Sequence, residues 1–387
     1  MKSGIDQSHF DKSVRPQDDL YRYANGTWLS NTQIPADRSN CGITYELFLQ
    51  AEAQVKAIIE SDKGKIGRLF NSFMNTAKIE ADGINPILDD LAEADQITNA
   101  KTLIATISRL EISGGPSIFG SFIYPDVGNS TQYAIYIYQG GLSLPDEAYY
   151  REEQYQPIRE AFLKHVQKMS ELSGVSIDGE KLLKLETEIA SYHWDQVKDR
   201  DALATYNKKS YAQLKELAPN VDWDGYLTAG QIPFEKFQEI VVREPSFFEG
   251  LSKMLNNLDV AAWRNWLRWH VLSGSAPYLN EALVNENFDF YARTLSGTPE
   301  IRERWKRAIS LVQGALGEEI GKEYVKRHFP ESSKKRMEEL VANLLKAYEV
   351  SIKNLDWMTD ETKAKALDKL AKFTPKIAYP NKWRDYS

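Results

Sequence analysis

The chain has 387 residues, 42% hydrophobic and 27% charged, which is the composition of a folded protein and not of a disordered segment. Its net charge of −7 argues against a nucleic-acid binder, which needs a basic face to neutralise phosphates. The single cysteine, Cys41, permits neither an internal disulfide nor a cysteine metal cluster.

The opening "MKSGIDQSHF" lacks the apolar core of a signal peptide. No apolar run reaches the roughly 18 residues that cross a bilayer, so no transmembrane segment is expected. The stretch "SIFGSFIYPDVGNSTQYAIYIYQGG" holds two β-rich runs around an Asp126–Thr131 turn cluster, and it predicts a hairpin. In "QPIREAFLKHVQKMSELSG", Ile158, Phe162, Val166, Met169 and Leu172 recur at helical spacing. Pro157 stands at the first turn and Gly174 where a C-cap belongs. Met337, Leu340, Val341, Leu344, Leu345, Tyr348, Ile352 and Leu355 trace an apolar stripe along one long helix, with Lys and Glu on its solvent face. A second helix from about Asp360 to Phe373 turns Leu367, Leu370 and Phe373 inward. The final "IAYPNKWRDYS" carries Tyr379, Pro380, Trp383 and Tyr386, which is material for burial at a place where chains ordinarily fray. The periodicity predicts a mainly α, multi-helix body with one small β-hairpin, and without repeats or long linkers.

Motifs for self-contained chemistry are missing. The histidines are His9, His165, His193, His270 and His328; none is followed by Glu, so no His-Glu-x-x-His signature occurs. His193 follows Glu186 by seven residues on what reads as one helix face, yet a structural histidine is the simpler reading. His270 lies among Trp266, Trp269 and Leu272 and reads as core or its edge. Gly115 and Gly120 lack the lysine of a P-loop, and no Gly-x-Ser-x-Gly elbow appears. Cys41 reads as an incidental thiol. On these residues the chain binds no metal and cleaves nothing alone.

The stretch "SVRPQDDLYRYANGTWLSNTQIPADRS" resembles the opening of the neprilysin-like zinc metallopeptidases, the family of bacterial endopeptidase O and the endothelin-converting enzymes. The likeness is carried by Asp19, Leu20, Tyr21, Asn25, Gly26, Trp28, Leu29, Ile34 and Pro35. "QGGLSLPDEAYY", "RDALATYN", "NFDFYARTLSGTPEIRERWKR", "LGEEIGKEYVKRHF", "LDWMTDETKAKALDKL" and "YPNKWRDYS" follow in the family's order.

The resemblance implies the family's helical capping domain, which encloses a cavity restricting substrates to peptides. Zinc, the His-Glu-x-x-His helix and a downstream Glu are expected on a C-terminal catalytic half, whose chain or domain would be the partner. It further implies that residues 1–35 run along that half, that 36–376 form the helical domain, and that 377–387 make the junction through Tyr379, Trp383 and Tyr386. An aromatic tail tucked into its own helical domain is the competing reading of that ending. Gln17 and Asn25 stand where vertebrate relatives carry cysteines, so a bacterial-type member is implied, in periplasm or cytoplasm. Asn40 and Phe48 match two cleft arginines of neprilysin, and Thr44 an aromatic. Asn40, Gly42, Thr44 and Phe48 are therefore the implied substrate-binding residues, with weakened preference for a peptide carboxylate. The alternative function is a non-catalytic peptide-binding or interaction protein derived from the family. A self-sufficient helical enzyme of another kind has no motif to support it.

Overall fold

The computed structural model describes residues 5–35 and 41–387. The longer helices begin with α1 (Leu20–Asn31), α2 (Ile43–Ser61), α3 (Lys65–Met74) and α4 (Ala100–Glu111). They continue with α5 (Gln156–Ser173), α6 (Gly179–Ser191), α7 (Trp223–Ala229), α8 (Pro245–Asn256), α9 (Val260–Ser275) and α10 (Glu281–Phe288). The last three are α11 (Arg304–His328), α12 (Glu331–Asn354) and α13 (Asp360–Ala371). The strands are β1 (Phe119–Asp126), β2 (Asn129–Gln139), β3 (Lys208–Ser210) and β4 (Glu239–Val242). The chain divides into two compact units, one of Met1–Asn75 with Arg302–Ser387 and a second of Thr76–Ile301.

The second unit has a continuous core. α5 starts with Pro157 in its first turn and ends on Gly174 at φ 73°, whose amide returns to the Ser170 carbonyl, as the sequence predicts. Its Phe162, Val166 and Met169 are fully buried, together with Trp263, Trp266 and Trp269 of α9. The hairpin is present, with Phe119 opposite Gln139 and Phe122 opposite Tyr136. It extends into a four-stranded sheet of order β1-β2-β4-β3, in which β4 runs parallel to β2 and β3 antiparallel to β4. Phe119, Ile137 and Ile240 carry one sheet face into the core.

The first unit has a smaller core. Val55 and Ile59 of α2 meet Ile66, Phe70 and Phe73 of α3, and both sets meet Ala308, Ile309, Val312 and Ile320 of α11. α11 kinks at Leu316, which leaves helical geometry between Gly314 and Gly317. α12 packs on α13, yet neither helix has a buried residue, and α1 has only Gly26.

That is a correction to the expected packing. The α12 stripe forms a helix as its spacing demands, but Met337, Leu340, Leu344 and Tyr348 are 44%, 51%, 50% and 60% exposed. Leu367 and Leu370 of α13 are half-buried, while Phe373 is 61% exposed instead of facing inward. Periodicity dictates which side of a helix is apolar, not whether this chain supplies the surface to cover it.

Candidate docking surface and substrate-facing segment

The C-terminal segment lies along α11 and α12 of its own unit. Tyr379 and Trp383 stack, and Phe329 meets Tyr379 edge-on with centroids 6.1 Å apart. Lys334 of α12 sits 4.2 Å from the Tyr379 ring centroid and donates to the Tyr379 carbonyl at 3.3 Å and to Asn381 Oδ1 at 2.9 Å. Glu318 of α11 accepts from the Arg384 amide at 2.7 Å, and its own amide donates to the Tyr386 hydroxyl at 3.3 Å. Lys65 of α3 donates to the Tyr386 carbonyl. Tyr379, Trp383 and Tyr386 are thereby half-buried against α11 and α12. Between segment and helices opens a cleft of about 760 Å³, lined by Glu318, Lys334, Glu338, Leu345 and Tyr379 among others.

Beside it the α12 face remains open. Leu340 and Leu344 line a shallow depression with Arg336, Glu339 and Asn343, so a polar rim borders an apolar centre. Sequence reasoning found every apolar residue of this stripe. What it missed is that Met337, Leu340, Leu344 and Tyr348 of the stripe are surface, while Val341, Leu345, Ile352 and Leu355 are half-buried.

The implied substrate-binding residues fall at the start of α2. Gly42 is the extended N-cap, and its carbonyl accepts from the Tyr45 amide at 2.8 Å. Thr44 and Phe48, four residues apart and so on one helix face, are both exposed. Tyr45 and Phe48 stack with centroids 6.3 Å apart. Leu47, at 63% exposure, belongs to the same apolar end, although the motif comparison did not single it out. Farther along, Val55, Ile58 and Ile59 anchor the helix in its core, so α2 holds its first turns outward from a fixed base. Asn40 lies outside the described residues.

The histidines are engaged separately. His193 falls beyond the end of α6, so it does not share a helix face with Glu186; its Nε2 hydrogen-bonds the Gly140 carbonyl at 2.9 Å. Burial holds that imidazole neutral, pushing its pKa down to about 4. His165 pairs with Glu286 at 2.8 Å, and burial lowers its pKa also. His270 pairs with the fully buried Glu186 at 2.8 Å. Among the described residues no three His, Cys, Asp or Glu side chains converge as a metal would require. Zinc does not fit the described residues of this chain.

The profile of peptidase family M13 matches residues 16–380. This chain belongs to peptidase family M13. The M13 chain is 26% identical to the neutral endopeptidase of Lactobacillus helveticus over 96% of its own length and 60% of that protein's. It is 26% identical to human endothelin-converting enzyme 1, spanning 97% of itself and 51% of that enzyme. Among solved structures it matches the zinc metalloprotease Zmp1 of Mycobacterium tuberculosis in complex with inhibitor, at 40% identity and a TM-score of 0.92. That match covers 99% of this chain and 60% of the protease. PepO of Lactobacillus rhamnosis shares the fold at a TM-score of 0.80 and 24% identity, with 95% of this chain and 60% of that one covered. The M13 chain thus spans between half and three-fifths of the relatives it matches, and its mainly α architecture with one small sheet is theirs.

Proposed function

We propose that this chain is the helical, N-terminal portion of an M13 zinc metalloendopeptidase, forming the cavity wall and part of the peptide cleft. The zinc site and catalytic groups lie on a C-terminal half that docks against the first unit. The observation that carries this reading is the uncovered apolar face of α12. A 24-residue helix with a regular apolar stripe and no buried residue is half of an interface, because exposing Leu340, Leu344 and Tyr348 to water gains nothing. Tyr379, Trp383 and Tyr386 border the same region and are proposed as part of that interface. Asn40, Gly42, Thr44 and Phe48 are proposed as substrate-binding residues. The orphan interaction protein is disfavoured by the same face, since a chain long separated from its partner has no reason to keep a stripe that promotes aggregation.

Native mass spectrometry of the chain recovered from its source cells, with zinc counted in the same sample, tests the proposal. The expected result is an assembly, or a longer covalent chain, that carries one zinc and cleaves peptides. A lone 44.2 kDa species without zinc or peptidase activity would overturn it.

A further inference from the structure

The second unit holds a cleft of about 480 Å³, within the range of small-molecule sites, at the junction of α9 with the loops following α4 and β2. We propose that this cleft binds a small organic cation, a primary ammonium or guanidinium group, through the His270 imidazole and the Asp90 carboxylate of its lining. The inference goes beyond the peptidase reading and does not rest on it.

The chemistry of His270 is set by its buried partner. Glu186 is fully buried and accepts from the Tyr150 hydroxyl at 2.5 Å, the Ser143 amide at 3.0 Å, the Ser143 hydroxyl at 2.6 Å and His270 Nε2 at 2.8 Å. A carboxylate facing Nε2 assigns the proton to that nitrogen. Nδ1 is then left with its lone pair. Among the described residues it has no hydrogen-bond partner, the side chain keeps 16% exposure, and His270 lines the cleft. The ring is braced by Trp266, with centroids 4.2 Å apart. Glu186 and Trp266 thus hold the imidazole in place, while the nitrogen turned away from them has no structural work.

The walls decide the sign of the ligand. Among the described residues no lysine or arginine lines the cleft, and Asp90 supplies its one full charge. Tyr278 and Tyr291 also line the cleft, and aromatic side chains are compatible with a cation. Space is available as well: a Cβ at Gly274, on the wall contributed by α9, would meet nothing within 4 Å.

The test is a titration of the 387-residue chain with n-butylammonium chloride and, in parallel, with sodium butyrate. Binding is followed by saturation-transfer NMR and by the imidazole resonances of His270. Butylammonium is expected to bind saturably and shift those resonances, and butyrate is expected to do neither. Asp90→Asn removes the charge and Gly274→Leu fills the space without disturbing a packed contact. Each is expected to weaken binding about tenfold or more, the scale of one charged hydrogen bond. Both variants should keep the wild-type melting temperature. Absence of saturable butylammonium binding, equal binding of butyrate, or unchanged affinity in either variant would overturn the assignment.

Discussion

Tyr379 lies flat against Trp383, with ring centroids 5.9 Å apart and planes 9° from parallel. Lys334 covers the Tyr379 ring, and Trp383 reaches the backbone of α11 at Gly321, where a Cβ would come within 3.4 Å of the indole. The pair therefore clamps an otherwise irregular segment to two helices. Trp383→Ala should cost about 1 kcal/mol, the scale of an aromatic pair. It should also expose residues 374–387 to protease. Limited proteolysis with intact-mass readout checks this; an unchanged cleavage rate would mean the hydrogen bonds of Lys334 and Glu318 hold the segment unaided.

Glu186 anchors the second unit because every group around it is a donor. It ties the loop after β2 to α6 and α9 through Ser143 and His270, and Trp269 Nε1 completes the set by donating to the Ser143 hydroxyl at 2.8 Å. Removing the carboxylate leaves the Tyr150, Ser143 and His270 donors without the acceptor they share at a buried position. Glu186→Ala should destabilise this unit by about 3 kcal/mol or more, measured by urea unfolding. A loss near zero would show that water enters the cavity and replaces the carboxylate.

Glu244 gives the second unit a pH dependence. It is fully buried, accepts from the Gln139 amide at 2.8 Å and from Arg243 Nε at 3.2 Å, and contacts the Asp199 carboxyl. Burial first, and the Asp199 carboxyl second, push its pKa up from an ordinary 4.5 to about 7. The folded state thus binds this proton more tightly than the unfolded state. Glu244 opposes folding progressively as pH rises from 4.5 to 7, and the cost is complete above that. Glu244→Gln mimics the protonated form, with an amide to offer Asp199. It should leave stability unchanged near pH 4 and raise it by on the order of 2 kcal/mol at pH 8. Melting curves across that range decide it, and a variant equally or less stable at pH 8 would refute the assignment.

Local signals carried much of the architecture into the sequence. Pro157 and Gly174 mark both ends of α5, and the Asp126–Thr131 cluster marks the hairpin, because caps and turns are written in neighbouring residues. β3 and β4 stayed hidden, since three and four residues are too few to display an alternation. The helix face expected to hold both Glu186 and His193 fails for a related reason. His193 is close in sequence but lies past the end of α6, whereas His270, 84 residues away, is brought in by α9. No spacing rule reaches that far. At the candidate site, the α12 stripe and the aromatic ending were visible, but periodicity could not say that the stripe faces outward.

That outward stripe supplies the last prediction. Leu340 and Leu344 are one helical turn apart at the centre of the uncovered face, and each is about half exposed. Changing both to Asp removes apolar surface from water without emptying a core, so the isolated chain should melt within about 0.5 kcal/mol of wild type. It should also bind less of a hydrophobic dye and scatter less light at high concentration. In the presence of the proposed catalytic half, the same charges would be forced into an apolar contact without partners. Assembly should then fail, because burying an unpaired carboxylate costs far more than the lost leucine contact returns. Size-exclusion chromatography with and without that half separates the two effects. A double variant that still assembles would place the interface elsewhere, and a destabilised isolated chain would mean that α12 is covered by its own protein after all.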